Sequence, residues 1–107
     1  MSYILIMHIK YTKPFRFDPE KNRQLKQERN ISFEEIIAFI LNDGILDVIT
    51  HINPVKYPKQ KIFIVEHQKI AYAVPYVEEI EYIFLKTIYP SRKLTKLYLK
   101  KGEKNEH

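Results

Sequence analysis

Arg92 and Lys93 stand where an apolar run ending in Lys86-Thr87-Ile88-Tyr89 gives way, through Pro90-Ser91, to a helix-like pattern. Cationic side chains beside the first amides of a helix can hold a phosphate, because charge and backbone donors converge there. Period-two alternation in the preceding strand places Lys86 with Ile88 on one face and Thr87 with Tyr89 on the other. The competing reading is that Arg92 only pairs with a carboxylate at the end of the sheet, Glu78 or Glu79. The charge distribution bears on the choice. Residues 1–90 carry 12 basic and 11 acidic side chains, whereas residues 91–107 carry 6 and 2, so most of the net charge of +5 sits at one end. A localised basic end fits a polyanion or an acidic partner, and a solvated helix end with a frayed tail is the bland alternative.

Other chemistries fall away. The chain has no cysteine, which removes disulfides, thiol nucleophiles and thiolate metal sites. His8, His51, His67 and His107 are scattered, with no His-Glu-x-x-His or paired-carboxylate motif, so neither a metal nor a cofactor is expected. Gly44 and Gly102 are the only glycines, which excludes a glycine-rich phosphate loop, and no Gly-x-Ser-x-Gly turn occurs. No apolar run reaches the roughly 18–20 residues of a membrane span, so no membrane association is expected. The start, MSYILIMHIKY, lacks the layout of a secretory signal, and Met7 is an alternative start; a cytoplasmic setting is the expectation.

The elements that must position these residues read as one α+β domain over residues 1–107. Tyr3 to Tyr11 is β-rich and apolar, a strand within a 13-residue N-terminal extension, and Phe15-Arg16-Phe17 is a second short extended piece. Asp18-Pro19-Glu20 opens a mostly polar helix running to about Arg29, with Leu25 its clear apolar residue. Ser32 and Glu35 form a capping box, flanked by the Ile31–Ile36 staple. Phe33, Ile36, Ile37, Ile40 and Leu41 then trace the buried face of a second helix, which Asn42-Asp43-Gly44 ends, with Gly44 free to take the left-handed cap conformation. Strands follow at Leu46–Ile52, Lys61–Glu66, Lys69–Val77 and Glu81–Tyr89, with a proline-containing loop at 53–60, a tight turn at His67-Gln68 and an acidic turn at Glu78-Glu79. The middle strands are almost continuously apolar, as strands covered on both faces are. A last helix, Lys93 to about Lys101, has Leu94, Leu97 and Tyr98 as its apolar side, and residues 102–107 are expected to be a disordered tail.

Three stretches carry a resemblance. Asp18-Pro19-x-Lys21-Asn22, Ile31-Ser32-Phe33-Glu34-Glu35 and Ser91-Arg92-Lys93-x-Thr95, in that order and spacing, resemble those of BrnT-type toxins of bacterial toxin–antitoxin pairs, over about residues 15 to 101. The chain departs from that pattern in its N-terminal extension, its proline-containing loop and its more apolar middle strands. The resemblance implies a RelE-like fold: a mainly antiparallel sheet of about four to five strands, two N-terminal helices and one C-terminal helix. It implies a ribonuclease that arrests growth by cutting RNA. It also implies a cognate antitoxin, typically of the ribbon-helix-helix kind, that covers the toxin and represses the operon with it, so that operator DNA is met only through the antitoxin. Carried over by position, Arg92, Lys93 and Thr95 fall in or near the site.

Metal-free RNA cleavage needs a base for the 2′-hydroxyl, cations for the phosphorane and an acid for the leaving 5′-oxygen. Arg92 is the expected charge stabiliser, assisted by Lys86 or Lys93. His67 and Glu66, beside a turn, are the candidate base or acid, with His51 another. Tyr89, Thr95 and Lys96 are the expected RNA contacts, and Tyr82 could also stack on a base. The apolar side of the last helix, Leu94, Leu97 and Tyr98, is core or in part an antitoxin groove. The absence of a histidine from the three matching stretches favours a rival reading, a non-catalytic α+β module that binds RNA or a partner protein.

Overall fold

A computed structural model describes residues 13–99 except 51, 52, 54 and 57. The strand expected at Tyr3–Tyr11, His51 and the tail at 102–107 lie outside the described residues. The elements in chain order are β1 (Phe15–Arg16), α1 (Pro19–Arg29), α2 (Phe33–Leu41), β2 (Ile45–Thr50), β3 (Gln60–His67), β4 (Ile70–Glu78), β5 (Ile83–Leu85), β6 (Tyr89–Pro90) and α3 (Arg92–Leu99). The fold is α+β. Among the described residues the strands form one six-stranded sheet in the order β1-β5-β4-β3-β2, with β6 also pairing β4. Every pairing is antiparallel except β1 with β5.

The two N-terminal helices start where their caps predict. The Asp18 carboxylate accepts from the Glu20 amide, and at α2 Ser32 and Glu35 satisfy one another's backbone amides in a complete capping box. Asn22 joins the helices. Its side chain is buried, accepts from the Phe33 amide at 2.8 Å and donates to the Glu34 carboxylate at 2.9 Å. That amide holds Glu34 below the usual carboxylate range.

The apolar middle strands are covered on both faces. Phe63, Val65, Tyr72, Val74 and Tyr76 meet Leu25 of α1 and Phe33, Ile36 and Ile40 of α2. The alternate positions Ile62, Ile64, Ala71 and Ala73 meet Ile49, Leu94, Tyr98 and Leu99 beneath α3. Alanines at 71 and 73 leave room for the helix to sit close to the strand. Phe63 stacks on Tyr76 with ring centroids 4.0 Å apart, and Phe17 stacks on Phe33 at 4.9 Å.

Several expectations need correction. Leu41 is 43% exposed: with the half-buried Ile37 it lies on the flank of the α2 stripe, whereas Ile40 in the same turn stays buried. Asp43, not Gly44, takes the left-handed conformation (φ 63°). Gly44 is required by space: a Cβ there would stand 2.7 Å from the Phe39 carbonyl oxygen, which its own amide approaches to 2.6 Å. The β3–β4 turn is Gln68-Lys69, one residue later than expected, with both residues at positive φ (53° and 66°), as a two-residue type I′ hairpin demands. The run Glu81–Tyr89 is not one strand. Tyr76 pairs with Leu85 and Ala73 with Tyr89, so one extra residue is accommodated at 86–88, and the Ile88 carbonyl there accepts from the Arg29 guanidinium. This overturns the expected shared face of Lys86 and Ile88: Lys86 is exposed and Ile88 fully buried. Leu97 is 53% exposed, and Leu99 takes its place in the apolar stripe. Among the described residues no helix is long and apolar enough to cross a membrane.

Candidate nucleic-acid interface

α3 is fastened to the sheet at its first turn. Ala71 pairs with Glu66 next to the Ile70–His67 pair that closes the hairpin, so its backbone groups point away from β3. The start of α3 satisfies both. The Ser91 amide donates to the Ala71 carbonyl at 3.0 Å, and the Thr95 hydroxyl accepts from the Ala71 amide at 2.9 Å while donating to the Ser91 carbonyl at 2.7 Å. Ser91 Oγ accepts from the Leu94 amide as the helix cap. Farther along α3, the Tyr98 hydroxyl donates to Asp47 of β2 at 2.5 Å. With the Val48 amide, it holds the Asp47 carboxyl below its ordinary range, and Asp47 raises the Tyr98 phenol in return.

The clamp sets the outer face of α3 against the hairpin turn, and a cleft of about 940 Å³ opens between them. Arg92 and Lys96 lie one turn apart on its helical wall, with Lys93 beside them. Lys69 projects from the turn, and Ile70 and Pro90 supply apolar surface. Four cations line the cleft and no carboxylate does. Among the described residues none of the four forms an ion pair. Of the two expected competitors for Arg92, the Glu78 carboxylate pairs with Lys13 at 2.8 Å, which lowers its pKa, and Glu79, whose backbone carbonyl accepts from the same amine, forms no ion pair with Arg92. Mutually repelling cations without counter-charge form a surface that an anion stabilises.

The expected site residues do not all gather here. Arg92, Lys93, Lys96 and Thr95 line the cleft, but the Thr95 hydroxyl is buried and committed to the clamp. Tyr89 opens on an adjoining groove. Lys86 does not line the cleft. His67 lies on the α1–α2 face of the sheet, its ring 5.1 Å from Phe39 and 6.0 Å from Tyr72. Glu66 alternates to the opposite face and is exposed. These two border a separate depression with Asp43 and Gly44, and neither lines the cationic cleft, although Glu66 shares the α3 face of the sheet through its pairing with Ala71. Tyr82 carries the Arg16 guanidinium over its ring at 4.7 Å. Lys69 was not legible as a site residue, since only the closed hairpin carries it to α3. Among the described residues no group of three or more His, Asp or Glu side chains is placed to hold a metal ion.

The structure also accounts for most of the three resembling stretches. Asp18, Ser32, Glu35 and Ser91 are caps, Asn22 and Thr95 are braces, and Arg92 and Lys93 are left facing the cleft. Comparison of the chain with known protein families, with curated proteins and with solved structures finds no match.

Proposed function

We propose that the chain is the toxin of a type II toxin–antitoxin pair, a cytoplasmic endoribonuclease that cuts RNA without a metal and arrests growth. The observation that carries this reading is the cleft of four cations that form no ion pair among the described residues, two of which, Arg92 and Lys93, are resembling positions that no structural role consumes. Arg92 places its planar donors on the scissile phosphate and stabilises the charge of the phosphorane, and Lys93 assists. Lys69 and Lys96 hold the neighbouring phosphates and align the 2′-hydroxyl for in-line attack. Attack forms the O2′–P bond and breaks the P–O5′ bond, leaving a 2′,3′-cyclic phosphate. With no imidazole or carboxylate in the lining, charge stabilisation and positioning are the main contributions of the cleft; water takes the 2′-proton, and a cleft ammonium or water supplies the proton that the leaving 5′-oxygen needs. By the resemblance, the fold is RelE-like and a ribbon-helix-helix antitoxin covers this face.

The position of His67 on the opposite face of the sheet, with neither His67 nor Glu66 in the lining of the cationic cleft, favours a second reading: a module that binds RNA, or its partner protein, without cutting. Inducing wild type and Arg92→Ala in growing cells separates the two. Growth arrest by the wild type, lost in a folded Arg92→Ala variant, supports the toxin reading. Equal arrest by both removes Arg92 from the mechanism.

A further inference from the structure

On the other flank of the α3 start lies a groove of about 390 Å³. Its floor is Ile49, Ile62 and Ala73, and its walls are Tyr89, Leu94 and Lys93. Tyr89 pairs with Ala73, whose side chain faces α3, so the phenol ring is turned to the same face. Its neighbour Ile88 points the opposite way, into the core, whereas Tyr89 is 37% exposed. Among the described residues its hydroxyl makes no hydrogen bond. An apolar floor beside a free aromatic ring is the chemistry that accepts a planar heterocycle. Lys93 lines both this groove and the cationic cleft, so the two are continuous across the helix start.

We propose that this groove is a nucleobase subsite: a single-stranded RNA stacks one base on Tyr89 while the adjoining phosphate lies against Lys93 and Arg92. The proposal rests on the RNA reading above and adds to it the strandedness of the ligand. A base inside a duplex has both faces covered by its neighbours and cannot enter, whereas an unpaired base can turn onto the ring. Charge complementarity selects the occupant. An apolar peptide or a second copy of the chain would fill the groove but leave the adjoining cations without counter-charge. A nucleotide supplies ring and anion in one ligand.

The test measures binding of 2′-O-methyl oligonucleotides, which lack the attacking hydroxyl, by fluorescence anisotropy. The probes are a short oligoadenylate, an abasic strand of the same length and a duplex; the proteins are the wild type, Tyr89→Phe and Tyr89→Ala. Tyr89→Phe is expected to bind oligoadenylate as the wild type does, and Tyr89→Ala about fivefold to a hundredfold more weakly. The abasic strand and the duplex should bind all three proteins alike. An abasic strand that binds the wild type as tightly as oligoadenylate refutes the subsite and leaves the RNA reading standing, and it does so without any variant having to fold. Equal loss of abasic and oligoadenylate binding in Tyr89→Ala also refutes it. Absence of binding to every probe overturns the RNA reading and the subsite with it. Tyr89-dependent self-association in sedimentation, without base dependence, would give the groove to a second copy.

Discussion

Replacing Thr95 with valine removes one hydroxyl while keeping the branched shape of the side chain, and the structure says what is left behind. Thr95 is 9% exposed, and its oxygen accepts from the Ala71 amide while donating to the Ser91 carbonyl. The carbonyl still receives the Thr95 amide at 2.9 Å, so it is not orphaned. The Ala71 amide is, on a residue with no exposed surface. Stranding a buried donor costs about 1–3 kcal/mol, and the added methyl returns somewhat less than about 1 kcal/mol. A net loss of about 1–2 kcal/mol follows, or a fall in Tm of about 4–16 °C for a domain of this size. Urea unfolding should show a lower midpoint with an unchanged slope, and Thr95→Ser should recover part of the loss. Oligonucleotide affinity should not change, because the hydroxyl is spent inside the fold. A Thr95→Val protein as stable as the wild type would refute the clamp. A stable one that loses RNA binding would put the hydroxyl on the ligand, as the resemblance implies.

Gly44→Ala should lose about 1–3 kcal/mol, since its Cβ meets the Phe39 carbonyl and not a movable side chain; unchanged thermal stability would contradict the close approach. Asp47 is depressed in the folded state by the Tyr98 hydroxyl and the Val48 amide, so it contributes stability that is present above the unfolded carboxyl pKa of about 4 and lost as pH falls through the folded one. Tyr98→Phe should therefore flatten the acid limb of stability measured from about pH 7 to about pH 2, and an unaltered limb would argue against that bond. If the four cleft cations meet phosphates, log affinity for single-stranded RNA should fall against log salt with a slope of about −3. Lys69→Ala or Lys96→Ala should each reduce that slope by about 0.7, whereas Lys86→Ala should not; an effect of Lys86→Ala equal to that of Lys69→Ala would misplace the interface.

The helix starts were legible because capping is local. Asp18 and Ser32 announce their roles within three or four residues, and the structure places both caps as read; Ser91, read only as part of the break before the last helix, caps it, and the helix starts at Arg92, one residue earlier than expected. The two-sided sheet was legible in the continuous apolarity of residues 62–65 and 70–74. What failed depends on contacts distant in sequence. The Gln68-Lys69 turn carries neither Asn nor Gly, the residues that mark a type I′ hairpin, so its position emerged only with the β3–β4 register. The break at 86–88 follows from two partners on β4 whose spacing differs by one residue. Thr95 could be read as a ligand contact because nothing local shows that Ala71, in another strand, needs its oxygen. For the site, Arg92 and Lys93 were visible from type and position. The separation of His67 from them was not, since it is set by strand parity across a folded sheet.

The most direct test of the cleft's role is to incubate the purified protein with end-labelled RNA in EDTA, beside Arg92→Ala and His67→Ala, and to read the product ends. The account predicts cleavage by the wild type and by His67→Ala, with 2′,3′-cyclic phosphate ends, and none by folded Arg92→Ala. Cleavage by Arg92→Ala at the wild-type rate, or its loss in His67→Ala alone, would contradict the cationic cleft as the working site.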